Sequence, residues 1–118
     1  MARILITGAA GSIGKELSMR LMNQGNTICA FDCNEDSLFR LRMELREKNN
    51  ELQKHIRYFL GDVRDKNRLN FALRGVDIVF HCAALKHVTF CEYNPTEAVA
   101  TNILGSQNVI ESSITNGV

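Results

Sequence analysis

Residues Ile6 to Gly14 read ITGAAGSIG, an apolar run that breaks into three glycines at positions 8, 11 and 14. No other stretch of the chain restricts the fold as strongly. Ala2 to Thr7 (ARILIT) is short, apolar and followed by glycine, the pattern of a parallel strand buried on both faces. Ser12 to Asn23 (SIGKELSMRLMN) carries Ile13, Leu17, Leu21 and Met22 at helical spacing and meets a stop signal in Gly25. The glycines therefore join a strand directly to a helix.

The same unit then repeats as a type, without repeating as a sequence. Thr27 to Asp32 (TICAFD) reads as a second strand, and Glu35 to Lys48 carries Leu38, Leu41 and Leu45 at helical intervals. Asn49 to Lys54 is a polar connection. A third strand fits Arg57 to Gly61, a third helix Lys66 to Arg74, and a fourth strand Val76 to Cys82, followed by a loop and a last helix after Pro95. Alternation of this kind, with right-handed crossovers, gives an α/β fold: a parallel sheet covered by helices on both faces. At 118 residues the chain suits one such unit, and two domains would not fit.

Charge narrows the range of partners. Fourteen Lys and Arg against thirteen Asp and Glu leave a formal net charge of +1, so no global field draws in nucleic acid or an anionic membrane. Arg40, Arg42 and Arg46 alternate with Glu44 and Glu47, as on a solvated helix face rather than a nucleic-acid patch. The cysteines (Cys29, Cys33, Cys82, Cys91) lack a paired-knuckle spacing, and no signal peptide or long apolar run is present, which together suggest the cytoplasm. No metal site is expected. His81 and Cys82 are neighbours on a strand and point to opposite faces, while His87 and Cys91 supply too few ligands alone.

In a sheet of this class, ligands bind beyond the carboxyl ends of the strands where strand order reverses, and the first strand's exit borders that crevice. Gly8 would permit the tight turn, Gly11 would let backbone approach a pyrophosphate, and Gly14 would let helix and strand pack closely. The helix N-terminus adds amide hydrogens and a partial positive charge. Asp32 ends the second strand 18 residues after Gly14, near the distance at which an acid reaches the adenosine ribose hydroxyls of a dinucleotide. The alternative role for Asp32 is to cap the helix that follows. A carboxylate there argues for NAD, but Arg40 or Arg42 folding back would accommodate a 2′-phosphate, so NAD and NADP both stay open. The loop residues Gly8, Ala10, Gly11, Ser12, Ile13 and Gly14, with Asp32 and Arg40, are the cofactor-binding candidates at this end.

Four later segments narrow the reading: GDVRD (Gly61 to Asp65), VDIVFHCAALKHV (Val76 to Val88), EYNPTEAV (Glu92 to Val99) and TNILGSQNVI (Thr101 to Ile110). With the Thr7-Gly8-x-x-Gly11-x-x-Gly14 spacing, they make the chain resemble the extended short-chain dehydrogenase/reductases. Among these it is similar to the nucleotide-sugar dehydratases of polysaccharide biosynthesis, of the UDP-N-acetylglucosamine 4,6-dehydratase type. The resemblance covers essentially the whole chain and implies a Rossmann-like sheet. It further implies that Asp62 and the Val63 backbone flank the adenine, and that Ala83, Ala84 and Lys86 line the nicotinamide side. Lys86 would contact a phosphate or a sugar hydroxyl, or else be a solvated lysine at a helix start; Asn102 would brace the site from the last helix, or else lie on the polar surface. Thr89 departs from the family, which usually has a proline after KHV.

Hydride chemistry in that superfamily needs a tyrosine followed four residues later by a lysine that lowers its pKa. Tyr58 is followed at that offset by Asp62 and Tyr93 by Glu97, and no lysine follows Lys86. No catalytic pair is therefore expected in these residues. The resemblance places that pair, and a sugar-binding domain, beyond a segment like SITNGV, where this sequence reaches Val118. The expected protein is the front part of a nucleotide-sugar 4,6-dehydratase, truncated after about four strands and inactive alone. Its complete form would oxidise the sugar at C4 with NAD or NADP, eliminate water across C5 and C6, and return the hydride to C6. A homo-oligomer is expected, because Val76 to Cys82 would be an apolar sheet edge. The alternatives are a non-catalytic dinucleotide-binding module and a different nucleotide-sugar enzyme of the same family, such as an epimerase or reductase.

Overall fold

The computed structural model describes residues 1–48, 50–83 and 100–118. Four strands, β1 (Arg3–Thr7), β2 (Thr27–Asp32), β3 (Ile56–Leu60) and β4 (Ile78–His81), form one parallel sheet in the order β3-β2-β1-β4. The helices are α1 (Ser12–Asn23), α2 (Glu35–Lys48), α3 (Lys66–Ala72) and α4 (Gly105–Thr115). A 3₁₀ turn at Asn50–His55 occupies most of the expected polar connection, and a π-helical turn at Ala100–Leu104 leads into α4. The Rossmann-like α/β arrangement is the one the sequence implies.

Side chains alternate across the strands and sort into two cores. Ile4, Ile6, Ile28, Ala30 and Ile56 face α1 and α2, where Met22, Leu38, Leu41 and Leu45 meet them. Leu5, Cys29 and Phe31 face the other way, onto Val63, Leu69, Ala72, Leu73 and Val109 around α3 and α4. Because both faces of β1 and β2 are covered, these strands had to read as continuous apolar runs. β4 differs: it lies at the edge of the sheet, and Ile78 and Phe80 are exposed there.

Helix ends follow local chemistry. Past α1, the Gly25 amide bonds the Met22 carbonyl and the Asn26 amide the Leu21 carbonyl, with Gly25 at φ 91°, a left-handed cap that matches the stop signal in the sequence. α2 opens on Asn34, whose Oδ1 accepts the Ser37 amide at 3.0 Å, and α3 on Asp65, which accepts the Arg68 amide at 3.1 Å. The expected strand ends at Gly61 and Cys82, and the expected helix end at Arg74, each lie one or two residues outside the observed elements.

Candidate functional site

Leaving β1, the chain steps outward to β2 and β3 and then crosses back to β4 on the other side of β1. Strand order therefore reverses between β1 and β4, and the glycine loop leaves the sheet at that point. Gly8 takes φ 66°, a left-handed turn, and a Cβ there would stand 2.8 Å from both the Ala83 amide nitrogen and the Cys82 carbonyl carbon. Neither strain nor space admits a side chain. A Cβ on Gly14 would collide with the Gly8 carbonyl oxygen and come within 2.7 Å of the Ala9 Cα, so Gly14 sets how closely α1 approaches the loop. At Gly11 the nearest atom to a Cβ is the Gly8 oxygen at 3.3 Å, and the residue is exposed.

Gly11 also begins α1 without a side chain to cap it, and the first turn holds no acidic residue. Among the described residues, the amides of Ser12, Ile13 and Gly14 have no acceptor, while the Lys15 amide is the first to bond back, to the Gly11 carbonyl at 2.8 Å. α2 and α3 fill the same positions with Asn34 and Asp65. An open N-terminus on a helix of 12 residues favours an anion, through both its amides and its dipole.

Asp32 is tied into this loop. Its Oδ2 accepts the Ala10 amide at 3.0 Å and its Oδ1 the Asn34 amide at 2.9 Å, which leaves lone pairs on both oxygens for hydroxyl donors. Capping α2 falls to Asn34, so the competing role for Asp32 is not the one it takes. Arg40 is exposed on the solvent face of α2, opposite Leu38, Leu41 and Leu45, and among the described residues its side chain makes no hydrogen bond or ion pair. The structure does not join it to Asp32.

Beyond β3, Asp62 receives Arg64 three ways: the amide at 2.9 Å, Nε at 3.0 Å and Nη2 at 2.7 Å. The guanidinium holds its carboxyl below the usual aspartate value of 3.8. Val63 turns its side chain into the α3/α4 core and its carbonyl to Asn108 Nδ2 at 3.1 Å, and its amide has no acceptor among the described residues. Cys33, exposed, lies between the Asp32 and Asp62 ends of the site; burial first, then both carboxylates, push its thiol above 9.0.

On the β4 side, Ala83 abuts Gly8, whereas Ala84 and Lys86 lie outside the described residues. Asn102 is exposed in the π-helical turn, and its carbonyl accepts the Ser106 hydroxyl at 2.7 Å. Three residues here take part in a contact that sequence reasoning did not assign to them. Thr7, fully buried, accepts the Cys82 amide at 3.0 Å and the Ala83 amide at 3.2 Å on Oγ1, and the same oxygen lies 2.6 Å from His81 Nδ1, with His81 Nε2 3.1 Å from Ser106 Oγ. The one available signal is a hydroxyl and an imidazole at the ends of adjacent parallel strands.

Residues 4–118 match the family described as polysaccharide biosynthesis protein. An uncharacterized membrane protein from Methanocaldococcus jannaschii is 54% identical over 109 residues, 92% of this chain and 31% of that protein. A UDP-N-acetylglucosamine 4,6-dehydratase (inverting) from Campylobacter jejuni is 45% identical over 115 residues, 98% of this chain and 33% of its own length. The chain thus spans about a third of the length of these relatives. Among solved structures, Pen from Bacillus thuringiensis superposes with a TM-score of 0.88 at 46% identity, over 99% of this chain and 35% of that one. A dTDP-glucose 4,6-dehydratase from Streptomyces venezuelae, solved with NAD bound, gives 0.81 at 28% identity over 98% of this chain and 37% of its own. Among the described residues no helix is long and apolar enough to cross a membrane. The match over residues 4–118, which include most of the strand-loop-helix that builds the crevice, shows that the chain belongs to the polysaccharide biosynthesis protein family.

Proposed function

We propose that residues 1–118 form the dinucleotide-binding part of a nucleotide-sugar 4,6-dehydratase acting on a UDP-N-acetylhexosamine, with NAD as its cofactor. The observation that carries this reading is the uncapped N-terminus of α1 beside Asp32: free amides at Ser12, Ile13 and Gly14 suit a pyrophosphate, and the Asp32 oxygens suit a ribose diol. The residues fit the group, since any side chain at Gly8 or Gly14 would displace the backbone that forms the cradle. In this reading the Val63 amide and Asp62 would face the adenine, Ala83 would border the nicotinamide side, and Asn102 would brace the site from the turn before α4, while Ala84 and Lys86 lie outside the described residues. When bound, NAD would take up and return the hydride. The chain's own part is to orient it and to keep a 2′-phosphate away from the Asp32 carboxylate, a role that Arg40, unattached to Asp32, does not offset.

The proton-transfer residues are assigned to sequence outside residues 1–118, because neither Tyr58 nor Tyr93 has a lysine at the required offset. Self-association belongs to the same reading. Ile103, Ile110 and Ile114 form an exposed apolar stripe on and before α4, each 60% exposed or more, which is the kind of surface a second copy would cover.

Calorimetric titration of the chain with NAD and NADP tests the cofactor assignment. NAD binding that exceeds NADP binding, and that weakens about tenfold or more in Asp32→Ala, is the expected outcome. A folded sample that binds neither would overturn it, and 4-keto sugar formed from UDP-N-acetylglucosamine by these residues alone would overturn the assignment of the proton-transfer groups.

A further inference from the structure

Thr7, His81, Ser106 and Asn102 form one hydrogen-bonded line from the end of β1, across the end of β4, to the turn before α4. The direction of every proton along it is fixed by its two ends. The Asn102 carbonyl only accepts, so Ser106 Oγ donates to it at 2.7 Å and must accept from His81 Nε2. At the other end, Thr7 Oγ1 already accepts the Cys82 and Ala83 amides, so its own hydrogen goes to His81 Nδ1. The opposite tautomer would crowd three N–H donors onto Thr7 Oγ1 and leave its hydrogen, and the Asn102 carbonyl, without these partners.

We propose that His81 is a positioning residue of the cofactor crevice, held as the neutral Nε2–H tautomer, and that its protonation releases the Ala83 amide from Thr7 and loosens the β4 exit from the glycine loop. The inference rests on the cofactor reading above only for its effect on NAD. A second proton, on Nδ1, would turn an acceptor into a donor facing the Thr7 hydroxyl. Thr7 would then have to turn a lone pair to the imidazolium, at the expense of the amides it holds. The Cys82 amide keeps a second acceptor, the Thr7 carbonyl at 3.1 Å, whereas Thr7 Oγ1 is the only acceptor of the Ala83 amide among the described residues. Ala83 is also the residue against which Gly8 is jammed, so the release acts on the glycine loop through direct contact.

The surroundings favour the neutral ring. Desolvation lowers the His81 pKa from 6.5 and is its only cause. Among the described residues, the ionisable groups on the elements packed against it are Arg3 at the far end of β1, Asp77 and Cys82 on either side of β4, and Glu111 on α4. Asp77 is engaged by the Arg3 amide and Glu111 by Lys66 and Gln107, and neither holds a proton on the imidazole. Lys86, His87 and Cys91 lie outside the described residues.

Long-range nitrogen-proton NMR of the imidazoles, with amide spectra from pH 7.5 to 5.0, tests the assignment without any cofactor. His81 is expected as the Nε2–H tautomer with a midpoint below 6.5, and the Ala83 amide is expected to shift with that same midpoint. In parallel, NAD affinity of the wild-type chain should fall about three- to tenfold between pH 7.5 and 5.0, and stay flat in His81→Asn, whose side-chain oxygen still accepts from Thr7. An Nδ1–H tautomer, or an Ala83 amide indifferent to the His81 titration, would overturn the proposal; so would an equal fall in affinity in His81→Asn. If the NMR behaves as expected while NAD binds at no pH, the positioning role stands and the cofactor reading fails.

Discussion

Two glycines with nearly the same backbone conformation separate strain from collision. Gly8 has φ 66° in the loop after β1, and Gly75 has φ 73° in the turn after α3. Alanine at either position must adopt a left-handed conformation, at about 1–2 kcal/mol, and at either position it stiffens the unfolded chain by the same amount. These contributions cancel in a comparison. What remains is the surroundings: a Cβ at 75 meets nothing within 4 Å, while a Cβ at 8 meets the Ala83 nitrogen and Cys82 carbonyl carbon at 2.8 Å and the Cys82 oxygen at 2.9 Å. All three are backbone atoms of the β4 exit, which cannot swing away as a side-chain tip does. Overpacking of this kind costs about 1–3 kcal/mol. Gly8→Ala should therefore be less stable than Gly75→Ala by that margin, or roughly 4–12 °C in midpoint at this chain length. Urea and thermal unfolding followed by circular dichroism measure it. Equal costs within about 0.5 kcal/mol, with unchanged denaturant slopes, would refute the claim that the glycine loop is clamped against β4.

Asn34→Ala should cost about 0.5–2 kcal/mol through the lost α2 cap and leave NAD affinity within twofold, unlike Asp32→Ala, in paired unfolding and calorimetry experiments. The Asp62 carboxyl is held low by Arg64, so the stability it contributes is present above its unfolded value of 3.8 and is lost as pH falls through the lower folded value; melting points between pH 5 and 2 should show this slope in wild type and a shallower one in Arg64→Met. If α4 carries the contact between copies, Ile110→Glu with Ile114→Glu should give a monomer by light scattering at concentrations where wild type associates, with circular dichroism unchanged.

Much of this fold is legible in the chain's local chemistry. α1, β2 and α2 fall on the residues that periodicity and Gly25 mark, because the apolar stripe of each helix and the buried runs of β1 and β2 are direct images of a three-layer packing. Gly8 and Gly14 are legible for the same reason: a strand that turns straight into a helix needs bare backbone at the turn and at the point of closest approach. Asp32 is marked by its distance from the glycines, yet its choice between ribose and helix cap is not, since Asn34 stands two residues on and offers the same kind of acceptor.

The order of strands and helices, the glycine cradle, the acid beside it and the lack of a Tyr-x-x-x-Lys pair in these residues are all written in the chain's own spacing. Those are properties of neighbours along the chain, where spacing maps onto geometry. Only when the layers close does β4 return to pair with β1, Ala83 come up against Gly8, and Thr7 reach His81 across 74 residues of sequence. Arg40 was separated from Asp32 by the same means, through the face of α2 that packing left outside. Such contacts are set by how the layers close on one another, and a hydroxyl or an imidazole at a strand end carries no mark of its partner until the neighbouring strand is in place.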